Sequence, residues 1–114
     1  MKLVIEGLKL RSLANMRGHW SVIAKHKKRV QCEVIYAIHA AGLANAEPLA
    51  KATVTVTRVG PRALDIDNLY SSIKSCVDAL KGRLIEDDAP DKCKIVAEQR
   101  KGEYQVEIDV SEMV

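Results

Sequence analysis

The sequence predicts a single α+β domain, residues 1–114, in which two helices pack on one face of a mixed sheet. Three observations favour this fold class. A chain of 114 residues can bury one hydrophobic core but not two. Two segments place apolar residues at steps of three and four, which is the helical period, and several others alternate apolar and polar residues as strands do. The predicted element order is β-α-β-α-β-β.

The first half of the chain begins with a strand and continues into a long helix. Residues 1–10 alternate in hydropathy, and Gly7 predicts a kink or bulge in this strand. From Gly18 the apolar period becomes helical, and Gly42 is a suitable C-terminal stop. Trp20 falls on the apolar stripe of this helix, so we expect it to anchor the core.

The second half contains a strand, a helix and a hairpin. Residues 51–58 (KATVTVTR) alternate regularly and predict a half-buried strand ended by Gly60 and Pro61. A single apolar stripe predicts a helix over residues 66–80. An acidic loop follows at residues 86–91, and the two last strands flank a turn at residues 100–102.

Composition excludes several classes of protein. With 47% hydrophobic and 29% charged residues, the chain is typical of globular proteins rather than disordered or fibrous ones. No apolar run approaches the roughly 20 residues of a membrane helix, and the charged, alternating N-terminus favours a strand over a signal peptide. Cys32, Cys76 and Cys93 are odd in number and lack the CxxC spacing, so we interpret them as reduced packing residues of a cytoplasmic protein rather than zinc ligands.

Charge is distributed unevenly along the chain. Residues 1–62 contain 11 Lys and Arg against 3 Asp and Glu, whereas residues 63–114 contain 7 against 12. A basic half joined to an acidic half suits a protein that holds a polyanion and concentrates carboxylates at one place. The alternative is a solvated surface with an uneven charge distribution.

Three carboxylates are candidates for a metal site. Asp65 and Asp67 stand two residues apart where extended chain becomes helix, and Asp88 lies in the acidic loop after that helix. Hard cations such as Mg²⁺ prefer oxygen ligands, and such ions promote phosphodiester hydrolysis. The alternative is a helix cap and a solvated loop. The two roles are compatible, because Asp67 can cap the helix and still present an oxygen to a cation.

A lysine lies on the same side of the predicted helix. Lys74 follows Asp67 by seven residues, which is two helical turns, so both project from one face. In a functional role Lys74 would stabilise negative charge on a phosphate beside the metal. In the alternative it forms a surface ion pair with Asp78, four residues further on.

The basic residues predict a surface for a nucleic-acid backbone. Cations near the start of the first helix and beside the two aspartates would contact phosphates with little sequence preference. Arg11, His19 and His26 are further candidates, and the alternative for the whole set is a solvated polar face. The predicted DNA-binding residues are Arg17, Lys25, Lys27, Lys28, Arg29, Arg58 and Arg62.

These motifs resemble the RusA family of Holliday junction resolvases, small endonucleases that cut four-way DNA junctions with Mg²⁺. The resemblance covers DIDNL from Asp65, KSCVDAL from Lys74 and EDD ending at Asp88, and is looser over SLAN, HW and KHKKR near the N-terminus. The family pattern has its lysine where this chain has Ser71, and Lys74 keeps the family distance to the DAL triplet.

The resemblance implies a RusA-like endonuclease domain acting in DNA recombination and repair, often borne by a prophage. It implies Mg²⁺, with Mn²⁺ as a substitute, no organic cofactor, branched DNA as the substrate, and a homodimer that makes two symmetric cuts. The residues implied are Asp65, Asp67 and Asp88 as metal ligands, Lys74 as the catalytic lysine, and Asn68, Asp78 and Asp87 in support.

Three other functions are compatible with the same residues. The chain could be a nucleic-acid-binding module without catalysis, in which the carboxylates only cap a helix. It could be a metal-dependent nuclease that cuts flaps or single strands. It could also be a small structural protein whose acidic loop binds Ca²⁺ for stability.

Overall fold

The predicted element order is confirmed by the computed structural model, which describes residues 1–13 and 16–113. Neither helix of this described part is long and apolar enough to cross a membrane. The elements are β1 (Lys2–Glu6), α1 (Trp20–Ala40), β2 (Ala52–Gly60), α2 (Ile66–Leu80), β3 (Cys93–Lys101) and β4 (Gln105–Glu112).

The four strands form one mixed sheet in the order β1-β4-β2-β3. Strand β4 is antiparallel to both of its neighbours, whereas β2 and β3 run parallel. The predicted hairpin of the last two strands is therefore wrong, because β2 lies between β3 and β4 and pairs with both. Parallel neighbours need a crossover connection, and α2 provides it. The two ends of α2 therefore lie near opposite ends of β2 and β3, which determines where the acidic residues on either side of the helix are found.

One face of the sheet carries the hydrophobic core. Val56 of β2 and Ile108 of β4 are fully buried in one cluster with Val34 of α1 and Ile73 of α2. The alternating threonines of β2 lie on the other face and are only half-buried. The period-two pattern of β2 thus has its expected origin, since one set of side chains contacts the helices and the other faces solvent.

Trp20 does not anchor the core as its position on the apolar stripe predicted. It is the first residue of α1 and is 72% exposed, with its ring centroid 5.2 Å from that of His19. The buried residues of α1 begin only at Val30. The prediction was wrong because the first turns of the helix extend beyond the edge of the core, where apolar periodicity no longer implies burial.

The cysteines are all free, as expected, but only two of them are packing residues. Cys76 and Cys93 are buried, whereas Cys32 is exposed on α1. Burial raises the pKa of the Cys76 thiol to about 12, so this side chain stays protonated and acts as an apolar packing group.

A turn at Gly7 redirects the chain toward α2. Gly7 has a φ of +76°, a value that favours glycine, and its N–H donates to the carbonyl of Tyr104 at 2.8 Å. The strand ends at Glu6, and the following residues Leu8 and Leu10 are buried along the core rather than paired in the sheet. The predicted strand over residues 1–10, kinked at Gly7, is thus too long, because the turn at Gly7 ends it and brings residues 8–13 to the candidate site.

Candidate metal and nucleic-acid site

Asp65, rather than Asp67, is the N-cap of α2. Its Oδ1 accepts the backbone N–H of Asn68 at 2.9 Å, and its Oδ2 accepts the Asn68 side-chain amide at 2.9 Å. This bidentate arrangement fixes the orientation of the carboxylate. Each carboxylate oxygen has about two lone-pair sites, so both oxygens of Asp65 retain capacity for a cation.

Asn68 is also bound from the other side by the segment that follows Gly7. The Ser12 hydroxyl donates to Asn68 Oδ1 at 2.7 Å. Asn68 therefore links the loop to the helix start and orients the Asp65 carboxylate. Asn15, the last residue of the SLAN segment that entered the family resemblance, lies outside the described residues.

Asp67 and Lys74 both extend into solvent from α2. Asp67 lies in the first turn, where the helix dipole favours a negative charge. Within the described ranges, neither side chain forms an ion pair. The expected alternative pair between Lys74 and Asp78 is not formed, because Asp78 contacts Lys81 at 3.6 Å instead. The Lys74 ammonium can therefore contact a ligand on the same face of α2 as Asp67.

The second acidic group surrounds the C-terminal end of α2. Lys81 Nζ lies 3.2 Å from Asp88 Oδ1, and Asp87 Oδ1 accepts the Asp88 backbone N–H at 2.8 Å. Partial burial of Asp88 acts to raise its pKa, but the hydrogen bond and charge of Lys81 outweigh it, and the pKa is lowered. The same hydrogen bond raises the pKa of Lys81.

The structure does not bring Asp88 to the other two predicted metal ligands. Asp67 and Asp78 are separated by eleven residues of α2, or roughly 16 Å along the helix axis. Asp88 shares Lys81 with Asp78 and so lies at the far end from Asp65 and Asp67. Accordingly, no three His, Cys, Asp or Glu side chains in residues 1–13 and 16–113 are close enough together to hold a metal ion.

Asp65 and Asp67 by themselves fit one class of ion. They offer only oxygen donors, and they are exposed, so a bound cation could retain water ligands. Mg²⁺ in proteins keeps several waters and takes one or two carboxylates together with substrate phosphates. The chemistry of this pair therefore suits Mg²⁺ shared with a phosphate group, and does not suit a cation that requires an all-protein cage.

Most of the predicted phosphate contacts are exposed, as a DNA-binding role requires. The side chains are free to reach a ligand because they stand on the solvent side of α1 or in the loops before α1 and α2. The exposed members of the predicted set are Arg17, Lys25, Lys27, Lys28, Arg29 and Arg62.

Arg58 is a correction to this set. Its side chain is 6% exposed, and it donates from Nε to the Leu10 carbonyl at 3.3 Å and from Nη1 to the Arg62 carbonyl at 2.9 Å. A Cβ on Gly60 would lie 3.1 Å from the Arg58 guanidinium, so glycine there leaves room for it. Arg58 is a buried link between two loops and does not face a DNA surface.

Lys81 is the site residue that the sequence interpretation missed. It follows Asp78 by three residues, and an opposite charge at this spacing on a helix is a recognisable signal for an ion pair. No sequence pattern predicts the contact of Lys81 with Asp88, because that contact depends on how the loop after α2 folds back toward the helix.

The sequence comparisons identify no relative of this chain. No protein-family model matches the chain, and a search of curated proteins finds no similar sequence.

Proposed function

We propose that this protein is a Mg²⁺-dependent, structure-selective endodeoxyribonuclease that resolves four-way DNA junctions. The observation that carries the proposal is the pair of exposed carboxylates, Asp65 and Asp67, at the start of α2. Oriented oxygen donors beside a basic surface suit an ion shared between the protein and a phosphodiester.

Each residue near the start of α2 has a distinct role in this proposal. Asp65 and Asp67 would hold Mg²⁺, or Mn²⁺ in its place, and Asn68 keeps Asp65 oriented. When bound, the ion supplies Lewis-acid polarisation of the phosphodiester and an activated water. Lys74, exposed on the same face, would stabilise negative charge on the phosphate.

The proposal includes a two-fold dimer, since two symmetric cuts require two sites. Asp88 lies at the opposite end of α2 from Asp65 and Asp67, so it cannot join them within one chain. We therefore assign the third carboxylate of each site to Asp88 of the partner subunit. In this arrangement a single chain has an incomplete site.

The test is a cleavage assay on a synthetic four-way junction, a flap and a linear duplex, with and without Mg²⁺. We expect the junction to be cut only with Mg²⁺, and Asp67→Asn to lower the rate roughly a thousandfold, since metal assistance contributes several kcal/mol. Asp91→Asn, which removes one exposed charge from the acidic loop, is the matched control and should cleave normally. A wild-type protein that binds the junction and cuts none of the substrates contradicts the proposal.

One observation favours a second candidate, a nucleic-acid-binding module without catalysis. Asp65 already has a structural use as the N-cap, and a cap alone explains its presence. For this candidate we expect Asp67→Asn to change neither DNA binding nor any cleavage assay. Preferential cutting of the flap instead would indicate a nuclease of another branched-DNA specificity.

A further inference from the structure

A concave depression lies between the segment after Gly7 and the middle of α1. It encloses about 320 Å³, and its polar lining consists of Lys9 and Arg11 from the segment and His26 and Arg29 from α1. No carboxylate lines it in the described part of the chain. The side chains that give the depression its polar lining are therefore all basic, and such groups attract an anion.

The three cations of this depression differ from Lys2, Lys81 and Arg100, whose charges are compensated by carboxylates. Lys2 and Arg100 pair with Glu107, and Lys81 pairs with two aspartates. Within residues 1–13 and 16–113, by contrast, Lys9, Arg11 and Arg29 make no ion pair; Lys9 instead lies 5.2 Å from the centre of the Tyr104 ring. Like charges held close together repel one another, and an anion bound between them would offset this repulsion.

His26 responds to the same charges. Its Nε2 accepts the Arg11 backbone N–H at 3.4 Å, an arrangement of the neutral ring with the proton on Nδ1. Burial lowers the pKa of His26, and the positive charges of Arg11 and Arg29 lower it further. An anion between the two arginines would reverse their effect, so the protonation of His26 reports on occupancy of the depression.

The depression adjoins the carboxylates through a single connected segment. Arg11 directly precedes Ser12, so their Cα atoms are about 3.8 Å apart. Ser12 binds Asn68, and Asn68 binds Asp65. A strand of DNA with one phosphate in the depression would thus place neighbouring phosphates near the start of α2, with the exposed cations of α1 alongside.

We propose that this depression binds one backbone phosphate of a DNA strand and thereby anchors the strand beside Asp65 and Asp67. Arg11 and Arg29 present planar forks of N–H donors that match phosphate oxygens, and Lys9 adds a point charge. The choice of DNA as the ligand rests on the proposed function. Phosphate binding in the depression does not, because it needs neither a metal nor cleavage.

Binding of a labelled four-way junction in metal-free buffer with chelator, over a series of salt concentrations, tests the anchor. We expect the double variant Arg11→Gln, Arg29→Gln to bind roughly tenfold more weakly, with a salt slope lower by about one. The control Lys94→Gln, Lys101→Gln removes the same charge from exposed positions of β3, outside both the depression and the predicted DNA-binding residues. Equal losses of affinity and slope in the two double variants would overturn the proposal.

A second measurement follows the His26 ring by NMR in chloride, in inorganic phosphate of equal ionic strength, and with a short DNA duplex. We expect both phosphate and DNA to raise the pKa of His26, and the arginine double variant to lose this rise while its melting temperature shows that it is folded. A rise with inorganic phosphate alone identifies a free-phosphate site and overturns the DNA anchor, as does no rise with either.

The outcomes for the anchor and for the nuclease are distinguishable. If the arginine variant shows the expected losses while the wild type cleaves nothing, the anchor stands and the nuclease proposal fails. If the wild type cleaves junctions and the arginine variant binds them as the control does, the nuclease stands and the anchor fails.

Discussion

The two ends of α2 are both acidic, but they differ in how their negative charge is compensated. At the N-terminal end, Asp65 and Asp67 are exposed, and they are stabilised by Asn68 and the helix dipole rather than by a cation. At the C-terminal end, the dipole opposes a carboxylate, and Lys81 lies between Asp78 and Asp88.

This difference shows that a count of carboxylates does not identify a metal site. The C-terminal group has the larger number of acidic residues, yet its charge is already balanced by a lysine. The N-terminal pair has fewer, but Asn68 orients the Asp65 carboxylate, and neither aspartate has an ion-pair partner in the described structure. Within one chain, available charge rather than total charge therefore distinguishes the end that can hold a cation, and Asp88 would have to exchange Lys81 for the ion before joining a site across a dimer.

The largest expected effect tests whether the two ends meet across a dimer. Asp67→Asn and Asp88→Asn should each lose nearly all cleavage of a four-way junction. When the two variants are mixed and allowed to exchange subunits, half of the resulting dimers are mixed, and each has one site with a full set of carboxylates. We expect nicking of one strand per junction to return in this mixture.

The matched control for this experiment is a mixture of Asp65→Asn and Asp67→Asn. Both of these changes lie in the same carboxylate pair, so a mixed dimer has no intact pair and should remain inactive. If Asp88→Asn alone cleaves normally, Asp88 has no part in the site. If both variants are inactive but their mixture never recovers, the assignment of Asp88 to the partner subunit is wrong.

A smaller effect separates the capping role of Asp65 from a role in metal binding. Asp65→Ala removes the cap and should lower the free energy of unfolding by about 1 kcal/mol, or the melting temperature by roughly 3–6 °C. Asp65→Asn keeps an oxygen that accepts the Asn68 backbone N–H but loses the acceptor for the Asn68 side-chain amide, so we expect a smaller loss of thermal stability than for Asp65→Ala. Under the proposed function both variants lose cleavage; normal cleavage by Asp65→Asn would leave only the cap.

The smallest effect concerns the C-terminal end of α2 and its pH dependence. Lys81 keeps the pKa of Asp88 below its ordinary value of 3.8, so the ion pair contributes stability above that pH, and the contribution is lost as pH falls through the lowered pKa. Lys81→Met should therefore lower the melting temperature slightly at pH 7 and have little effect in acid, at a pH where Asp88 is protonated in the folded protein. An equal loss at both pH values would show that Lys81 acts through packing of its stem.

The sequence was sufficient to predict the order of elements and the bounds of α2. Its apolar stripe and the regular alternation of β2 are local patterns, and each has one interpretation. The helix start is different, because its two aspartates have two compatible interpretations, a helix cap and a metal site. The prediction named Asp67 as a cap, and the structure gives that role to Asp65.

The errors concern residues whose environment depends on distant parts of the chain. Trp20 has the right period for burial, but the core does not extend beneath it. Arg58 is basic and close to the aspartates in sequence, yet two carbonyls from separate loops hold it inside the protein. Asp88 follows α2 closely in sequence, but the length of the helix separates it from Asp67. Local patterns do not report such long-range geometry.

The buried position of Arg58 also affects how mutational data on this protein should be interpreted. The Arg58 guanidinium binds the carbonyl of Leu10, which directly precedes Arg11, and the carbonyl of Arg62, which lies three residues before Asp65. Replacing Arg58 would release both loops together, so under the proposed function DNA affinity would fall although Arg58 is buried away from the proposed DNA surface. A scan that equated loss of binding with contact would count Arg58 among the phosphate ligands, when its effect is to hold the binding surface in shape.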